Sequence, residues 1–224
     1  MVEMSRKRDK NGLNGIILAS QNRHLDIVQY LVEHGGDVSC MSNDGWNAIL
    51  YASRSGSLDI IEYLGEHGGD LNCVNKDGLN GIMFASQNGH IDIVQYLVEH
   101  GVDLTKRDND GWDGILYACR NGYLTIVQYL VEHGGDVNVR DNDGLNGIML
   151  ASEEGHLKIV QYLVENGGDI NARANNGLSS VILASLKGHL DIVRYLVDHG
   201  IDVNARTKKE GMHCLQQKLE GMER

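Results

Sequence analysis

Apolar residues recur along this chain in short bursts, and the bursts alternate between two kinds. One kind is a compact run such as Ile82-Met83-Phe84-Ala85, and the other is a stripe such as Leu25, Val28, Leu31 and Val32, spaced like the buried face of an amphipathic helix. Each compact run follows a residue suited to capping a helix: Asn14, Asn47, Asn80, Asp113, Asn146 or Ser179. The side-chain oxygens of these residues accept from the free N–H groups of a first helical turn. Each stripe ends near a glycine of the series Gly35, Gly68, Gly101, Gly134, Gly167 and Gly200, where a left-handed residue closes a helix. Acidic Asp26 sits in the first turn of its stripe, at the positive end of the helix dipole. The pattern therefore predicts helix, turn, helix and a short hairpin, over and over.

The period is 33 residues. IVQYLVEHG occurs verbatim at 27–35, 93–101 and 126–134, and Gly12, Gly45, Gly78, Gly111, Gly144 and Gly177 keep the same spacing. Six units follow, at 9–41, 42–74, 75–107, 108–140, 141–173 and 174–206, between a basic N-terminal extension at 1–8 and a tail at 207–224. In that tail Met212, Leu215, Leu219 and Met222 keep helical spacing, which predicts one amphipathic capping helix. A second period of 66 lies over the first. Units one and three share GLNGI, while two and four share GW, ILYA and a following arginine. No unit can cover its own apolar face, so the units must stack. The first unit is expected to be poorly covered on its outer side, and Arg23 stands there in place of the usual glycine.

Units of the form DGxxxxxxAxxxGHxxIVxYLVExGxDVNA resemble ankyrin repeats, and the likeness spans residues 9–206. It implies an all-α fold, an ankyrin-repeat solenoid of helix-turn-helix units with short β-hairpin connections. The family's T-P-L-H head of the first helix is replaced here by NGII, NAIL, NGIM, DGIL, NGIM and SSVI. Glycines 15, 81, 114 and 147 stand where the family has proline, so proline at these positions is expected to stabilise by about 0.4–1 kcal/mol through the unfolded chain. Ile17, Leu50, Met83, Leu116, Met149 and Ile182 occupy the histidine place, which implies an apolar ladder in exchange for the family's polar link between neighbours.

Composition narrows the chemistry. A hydrophobic fraction of 42% supports a substantial core, and a formal charge of -11 argues against nucleic acid and anionic membranes as partners. MVEMSRKRDK leads into no apolar stretch of signal-peptide type, and no 18 apolar residues run together. Four cysteines without a C-x-x-C pair fit a reducing, cytoplasmic setting, with Arg6, Lys7 and Arg8 the feature that would favour a nuclear one. Nine of the ten histidines fall into two structural slots, one before the second helix (His24, His90, His156, His189) and one at its end (His34, His67, His100, His133, His199). Equivalent slots in stacked helices lie about 8–10 Å apart, too far for one metal or for a Cys40–Cys73 disulfide. The repeat geometry places no histidine base beside Cys119 or Cys214 and no phosphate-binding glycine motif occurs, so no enzyme activity, cofactor or metal is expected.

Specificity must then lie where the units differ. The position after the hairpin glycine reads Leu13, Trp46, Leu79, Trp112, Leu145, Leu178, and the end of the first helix reads Gln21, Arg54, Gln87, Arg120, Glu153, Leu186. In ankyrin proteins both lie on the concave side. The resemblance thus implies partner contacts at Trp46, Tyr51, Arg54, Leu79, Gln87, Trp112, Tyr117, Arg120, Leu145 and Glu153. Tryptophan with arginine can stack as cation over ring, and both types concentrate at interface hot spots. The alternative is that each tryptophan packs as core against Tyr51 or Tyr117. Arg107, Arg140, Arg173 and Arg206 form a further line, either an Asp–Arg ladder using Asp108 and Asp141 or a contact for an acidic segment. The expected function is a monomeric, non-catalytic adaptor, scaffold or inhibitor that binds a partner protein in its concave groove. The alternative is a targeting or regulatory domain of a larger enzyme.

Overall fold

The computed structural model describes residues 9–203. The extension 1–8, the capping helix expected at 207–224 and Arg206 lie outside the described residues. Twelve helices are present among those described: α1 (Gly15–Gln21), α2 (Leu25–Glu33), α3 (Ala48–Ser55), α4 (Leu58–Glu66), α5 (Gly81–Asn88), α6 (Ile91–Glu99), α7 (Gly114–Asn121), α8 (Leu124–Glu132), α9 (Gly147–Glu154), α10 (Leu157–Glu165), α11 (Ser180–Lys187) and α12 (Leu190–Asp198). The chain divides into two compact units, Met1–Asn109 and Asp110–Arg224. In the first, α1, α3 and α5 pack in a row and carry α2, α4 and α6; in the second, α7, α9 and α11 carry α8, α10 and α12.

Local chemistry sets the helix ends. Asn14, Asn47, Asn80 and Asp113 each accept, through Oδ1, the N–H of the residue three positions on at 2.9 Å, and Asn146 does so at 3.0 Å. Ser179 departs from the expectation: its backbone is extended but its hydroxyl caps nothing, and its Oγ is buried without a partner. Gly56, Gly89, Gly122, Gly155 and Gly188 close the first helices in the left-handed conformation. At the second-helix ends, His34, His67, His100, His133 and His199 each donate Nδ1–H to the carbonyl of the tyrosine four residues back, at 2.7–2.8 Å. The rings of each Tyr–His pair lie 3.9–4.1 Å apart. These histidines are helix terminators.

The core sits between the two helix rows of each unit. Ile60, Ile61 and Leu64 of α4, Ile93, Val94 and Leu97 of α6, and their equivalents in α8 and α10 are buried. Each such side chain contributes roughly 1.5–3 kcal/mol. Ile17, Leu50, Met83, Leu116 and Met149 are buried as the ladder requires, while Ile182 is half-buried. The polar link has moved rather than vanished. His90, His156 and His189 donate Nε2–H to the carbonyls of Arg54, Arg120 and Glu153, each in the preceding repeat, at 3.3, 3.1 and 3.1 Å. The first helix pair is the least covered, with Leu18, Ile27 and Tyr30 at 41%, 45% and 61% exposure, where Ile60 and Ile93 are fully buried.

The connections contain less sheet than expected. Among the described residues only two isolated antiparallel bridges occur, Val74 with Asn80 and Arg140 with Asn146. The reason lies in where the backbone groups go: the turn tips bond sideways to the next turn, Asn43 N to Asn11 O at 2.8 Å, Lys76 N to Asp44 O at 3.1 Å and Asn142 N to Asp110 O at 3.0 Å. This close approach is why the turns need glycine. A Cβ on Gly12 would come within 2.8 Å of Asn43 Oδ1, at a φ of +82° that already disfavours one.

Two further expectations are corrected. The Asp–Arg ladder runs through other aspartates than the expected Asp141: Arg140 and Arg173 bond Asp169 and Asp202 at 3.3 Å, in the following repeat. A neighbour in sequence points away along the turn, whereas the next turn lies alongside. Proline at Gly81 and Gly147 is also disfavoured, although both residues do begin their helices. A Cβ at Gly81 would lie 2.8 Å from Leu97 Cδ1 and 3.0 Å from Ser53 Oγ, and at Gly147 it would lie 2.9 Å from Cys119 Sγ. Tight packing outweighs the gain in chain stiffness.

Candidate functional site

Each unit presents one aromatic shelf with an arginine on it. In the first, Trp46 follows the left-handed Gly45, its main-chain N–H donating to Ser42 Oγ at 3.1 Å and its carbonyl accepting from Ser42 N at 2.7 Å. This turn, closed on itself, aims the indole toward α3. The ring rests at 4.6 Å from Tyr51 and 4.5 Å from Phe84, and the Arg54 guanidinium lies 5.7 Å from its centroid. In the second unit Trp112 sits 5.1 Å from Tyr117, with the Arg120 guanidinium 5.5 Å from its centroid. Both tryptophans are half-buried and both arginines exposed. Each ring packs on its tyrosine and still presents a face with a cation over it, an arrangement worth about 0.5–1 kcal/mol at exposed sites.

The electrostatic settings differ. Burial lifts the Tyr51 hydroxyl above the usual phenol range; the Arg54 charge opposes this, while Asp44 and Asp9 add to it. Beside Trp112, burial raises the Asp141 carboxyl, opposed by N–H donation from Leu145, raised further by Asp143, and opposed by N–H donation from Asp143 and by the Trp112 indole. Arg120 Nε lies 4.0 Å from Glu154 Oε1, both side chains substantially exposed, so this pair is weak.

The family model described as ankyrin repeats matches the chain in three copies, over residues 2–75, 67–141 and 116–207. The chain belongs to the ankyrin-repeat family. Comparison with curated proteins finds no match. Ankyrin repeats are generally protein–protein interaction modules, and the family is typically non-catalytic. No described helix is long and apolar enough to cross a membrane. Among the described residues no three His, Cys, Asp or Glu side chains converge as a metal ion would require.

Within this ankyrin framework the remaining candidate residues separate. Gln87 is exposed, Leu79 and Glu153 are half-buried, and Glu153 also accepts His189 through its carbonyl at 3.1 Å. Leu145 is buried, 9% exposed, and offers a partner little surface. The slot thus presents an aromatic face in repeats two and four, while its leucines are half-buried at Leu13 and Leu79 and buried at Leu145 and Leu178. Sequence reasoning missed Phe84, which completes the Trp46 shelf, and Asp141 and Glu154, which flank the second. Phe84 was reachable, since it is the Tyr51 position one period later. Asp141 and Glu154 carried no local signal.

Proposed function

We propose that the chain is a non-catalytic adaptor, scaffold or inhibitor that binds a partner protein, with Trp46 and Arg54 as anchors on one unit and Trp112 and Arg120 on the other. The observation that carries this reading is the recurrence of a half-exposed tryptophan under an exposed arginine, at 5.7 and 5.5 Å, once in each unit. Stacking alone does not require it: repeats one and three put leucine and glutamine at the same positions and keep the same helices. Tyr51 and Tyr117 back the two rings, and Gln87 and Glu153 border them. A reducing, cytoplasmic setting suits the buried thiols Cys40, Cys73 and Cys119.

The test is comparative capture from the source cell. Wild type, a Trp46→Ala/Trp112→Ala variant and an Arg54→Gln/Arg120→Gln variant are immobilised, and bound proteins are quantified by mass spectrometry. Proteins retained by wild type should be depleted on both variants, with a loss of about 2 kcal/mol, roughly thirtyfold, for each tryptophan measured singly. Equal retention on all three would overturn the assignment of the anchors. The arginine variant guards against a trivial outcome, because exposed guanidinium groups are removable without opening the core, whereas each indole also packs on a tyrosine.

A further inference from the structure

The two shelves differ in charge, and the difference indicates what the first one holds. Arg120 has Glu154 at 4.0 Å, and the Trp112 indole N–H donates to the Asp141 carboxylate. One duplication period earlier, asparagines replace both acids. Asn88 turns its amide onto the Phe84 carbonyl at 2.8 Å, and Asn75 turns its Oδ1 to the N–H groups of Asp77 and Leu79 at 3.0 and 2.9 Å. Arg54 is therefore left with no acidic side chain paired to it among the described residues, while the Trp46 ring fixes its guanidinium. Gln21 and Gln87 hold the same register in α1 and α5 and add no charge. Asp44 and Asp9, the acids that act on Tyr51, belong to the hairpin turns.

Resting on the reading of the chain as a protein-binding module, we propose that the Trp46–Arg54 shelf is the receptor for an acidic, apolar peptide segment. An aliphatic or aromatic side chain of the partner seats on Trp46 and Tyr51, and a neighbouring aspartate or glutamate takes the Arg54 guanidinium. Charge complementarity selects this occupant. A guanidinium held in place presents a planar fork of donors that matches a carboxylate bidentately. A protein of formal charge -11 repels acidic segments elsewhere, so this cation confers discrimination as well as attraction. The second shelf, with Glu154 and Asp141 beside it, is an apolar seat without the same demand.

A display library of random dodecapeptides, selected on the full chain, tests this. Enriched peptides should carry Asp or Glu within two positions of a large apolar residue. They should bind Arg54→Gln about tenfold or more weaker, as loss of a charge-assisted pair requires, and Arg194→Gln, which removes an exposed arginine of α12 that belongs to neither shelf, within about twofold of wild type. Circular dichroism melts of both variants confirm that exposed substitutions leave the fold intact. Peptides that lose affinity on Trp46→Ala but keep it on Arg54→Gln, or that are predominantly basic, overturn the acidic preference and leave the binding-module reading standing. Enriched peptides that ignore every shelf substitution, or no enrichment at all, overturn both.

Discussion

His90 donates Nε2–H to the main-chain oxygen of Arg54 at 3.3 Å, so the ring of one repeat closes the last turn of the first helix in the repeat before it. The ring also lies on Gly56, where an added Cβ would come within 2.6 Å of His90 Cε1. His156 repeats both relations with Arg120 and Gly122, at 3.1 and 2.6 Å. Each glycine is thus required twice, by its left-handed backbone and by the imidazole above it. Because the carbonyls belong to the arginines on the tryptophan shelves, the link also holds the helix ends that carry them.

Gly122→Ala should therefore lose about 2 kcal/mol or more, beyond the roughly 1–2 kcal/mol of a left-handed alanine, because the imidazole is displaced and a carbonyl loses its donor. His156→Ala alone should cost about 1 kcal/mol, and the double variant should cost less than the sum. Denaturant midpoints of the four proteins measure the coupling. Strict additivity would mean that ring and glycine do not meet.

Arg23 is the one described non-glycine residue with positive φ, at 62°, and it occupies the slot that Gly56, Gly89, Gly122, Gly155 and Gly188 hold in the other repeats. Arg23→Gly should raise stability by about 0.5–1 kcal/mol, the relief of left-handed strain less the added freedom of the unfolded chain. Amide hydrogen exchange in α1 and α2, the pair left most exposed, should slow first. Faster exchange there would show that the arginine side chain supplies something the backbone argument omits.

The caps and the helix phases were legible in the sequence because they are local: Asn80 and Met83, or Tyr96 and His100, lie within one or two turns of each other. The Trp–Arg shelves were half legible, since helical register and family likeness together brought Trp46 toward Arg54. What escaped was contact between repeats. Thirty-four residues on from Gly56, Gly122 and Gly155 stand His90, His156 and His189, whereas the same step leads from Arg23 to Ser57 and from Gly89 to Tyr123. That correlation becomes visible only once the geometry says that slots 34 residues apart touch. The same blindness paired Arg140 with Asp141 instead of Asp169, and offered proline to Gly81 without seeing Leu97 and Ser53 behind it.

Buried thiols make the two units separately readable. Burial pushes the Cys73 thiol up to about 12 and the Cys119 thiol well above its ordinary 9. The neutral form is favoured in the folded state, so this stability is complete below pH about 9 and is lost as pH rises toward 12, at up to about 1.4 kcal/mol per unit for each thiol. Iodoacetamide labelling at pH 8 should modify Cys73 and Cys119 only as fast as their units open, and Cys73→Ala should flatten the alkaline fall of the first unit. Rapid labelling of either residue in the native protein would contradict its burial.

Packing behind the first-helix glycines supplies the sharpest test of the stack. Gly147 and Gly15 both begin their helices, so a local argument treats them alike, and alanine or proline should stabilise either. Their surroundings differ. A Cβ at Gly147 meets Cys119 Sγ at 2.9 Å and Leu163 Cδ1 at 3.1 Å, both fully buried, whereas Gly15 is exposed and its Cβ meets only the end of Leu31, at 3.0 Å. Gly147→Ala should thus lose about 1–3 kcal/mol by overpacking, and Gly15→Ala should gain up to about 1 kcal/mol. Ala48 shows that a methyl group is accepted in this slot, in a repeat where Ser20 occupies the position that Cys119 holds opposite Gly147. Cys119→Ala should accordingly restore most of what Gly147→Ala loses, because it removes the sulfur that the new methyl group meets. Thermal or urea midpoints of wild type, both single variants and the double variant measure the coupling. A stabilising Gly147→Ala in the wild-type background would mean that helix α9 sits further from α7 than described, and the placement of Arg120 at the end of α7 would have to be redrawn with it.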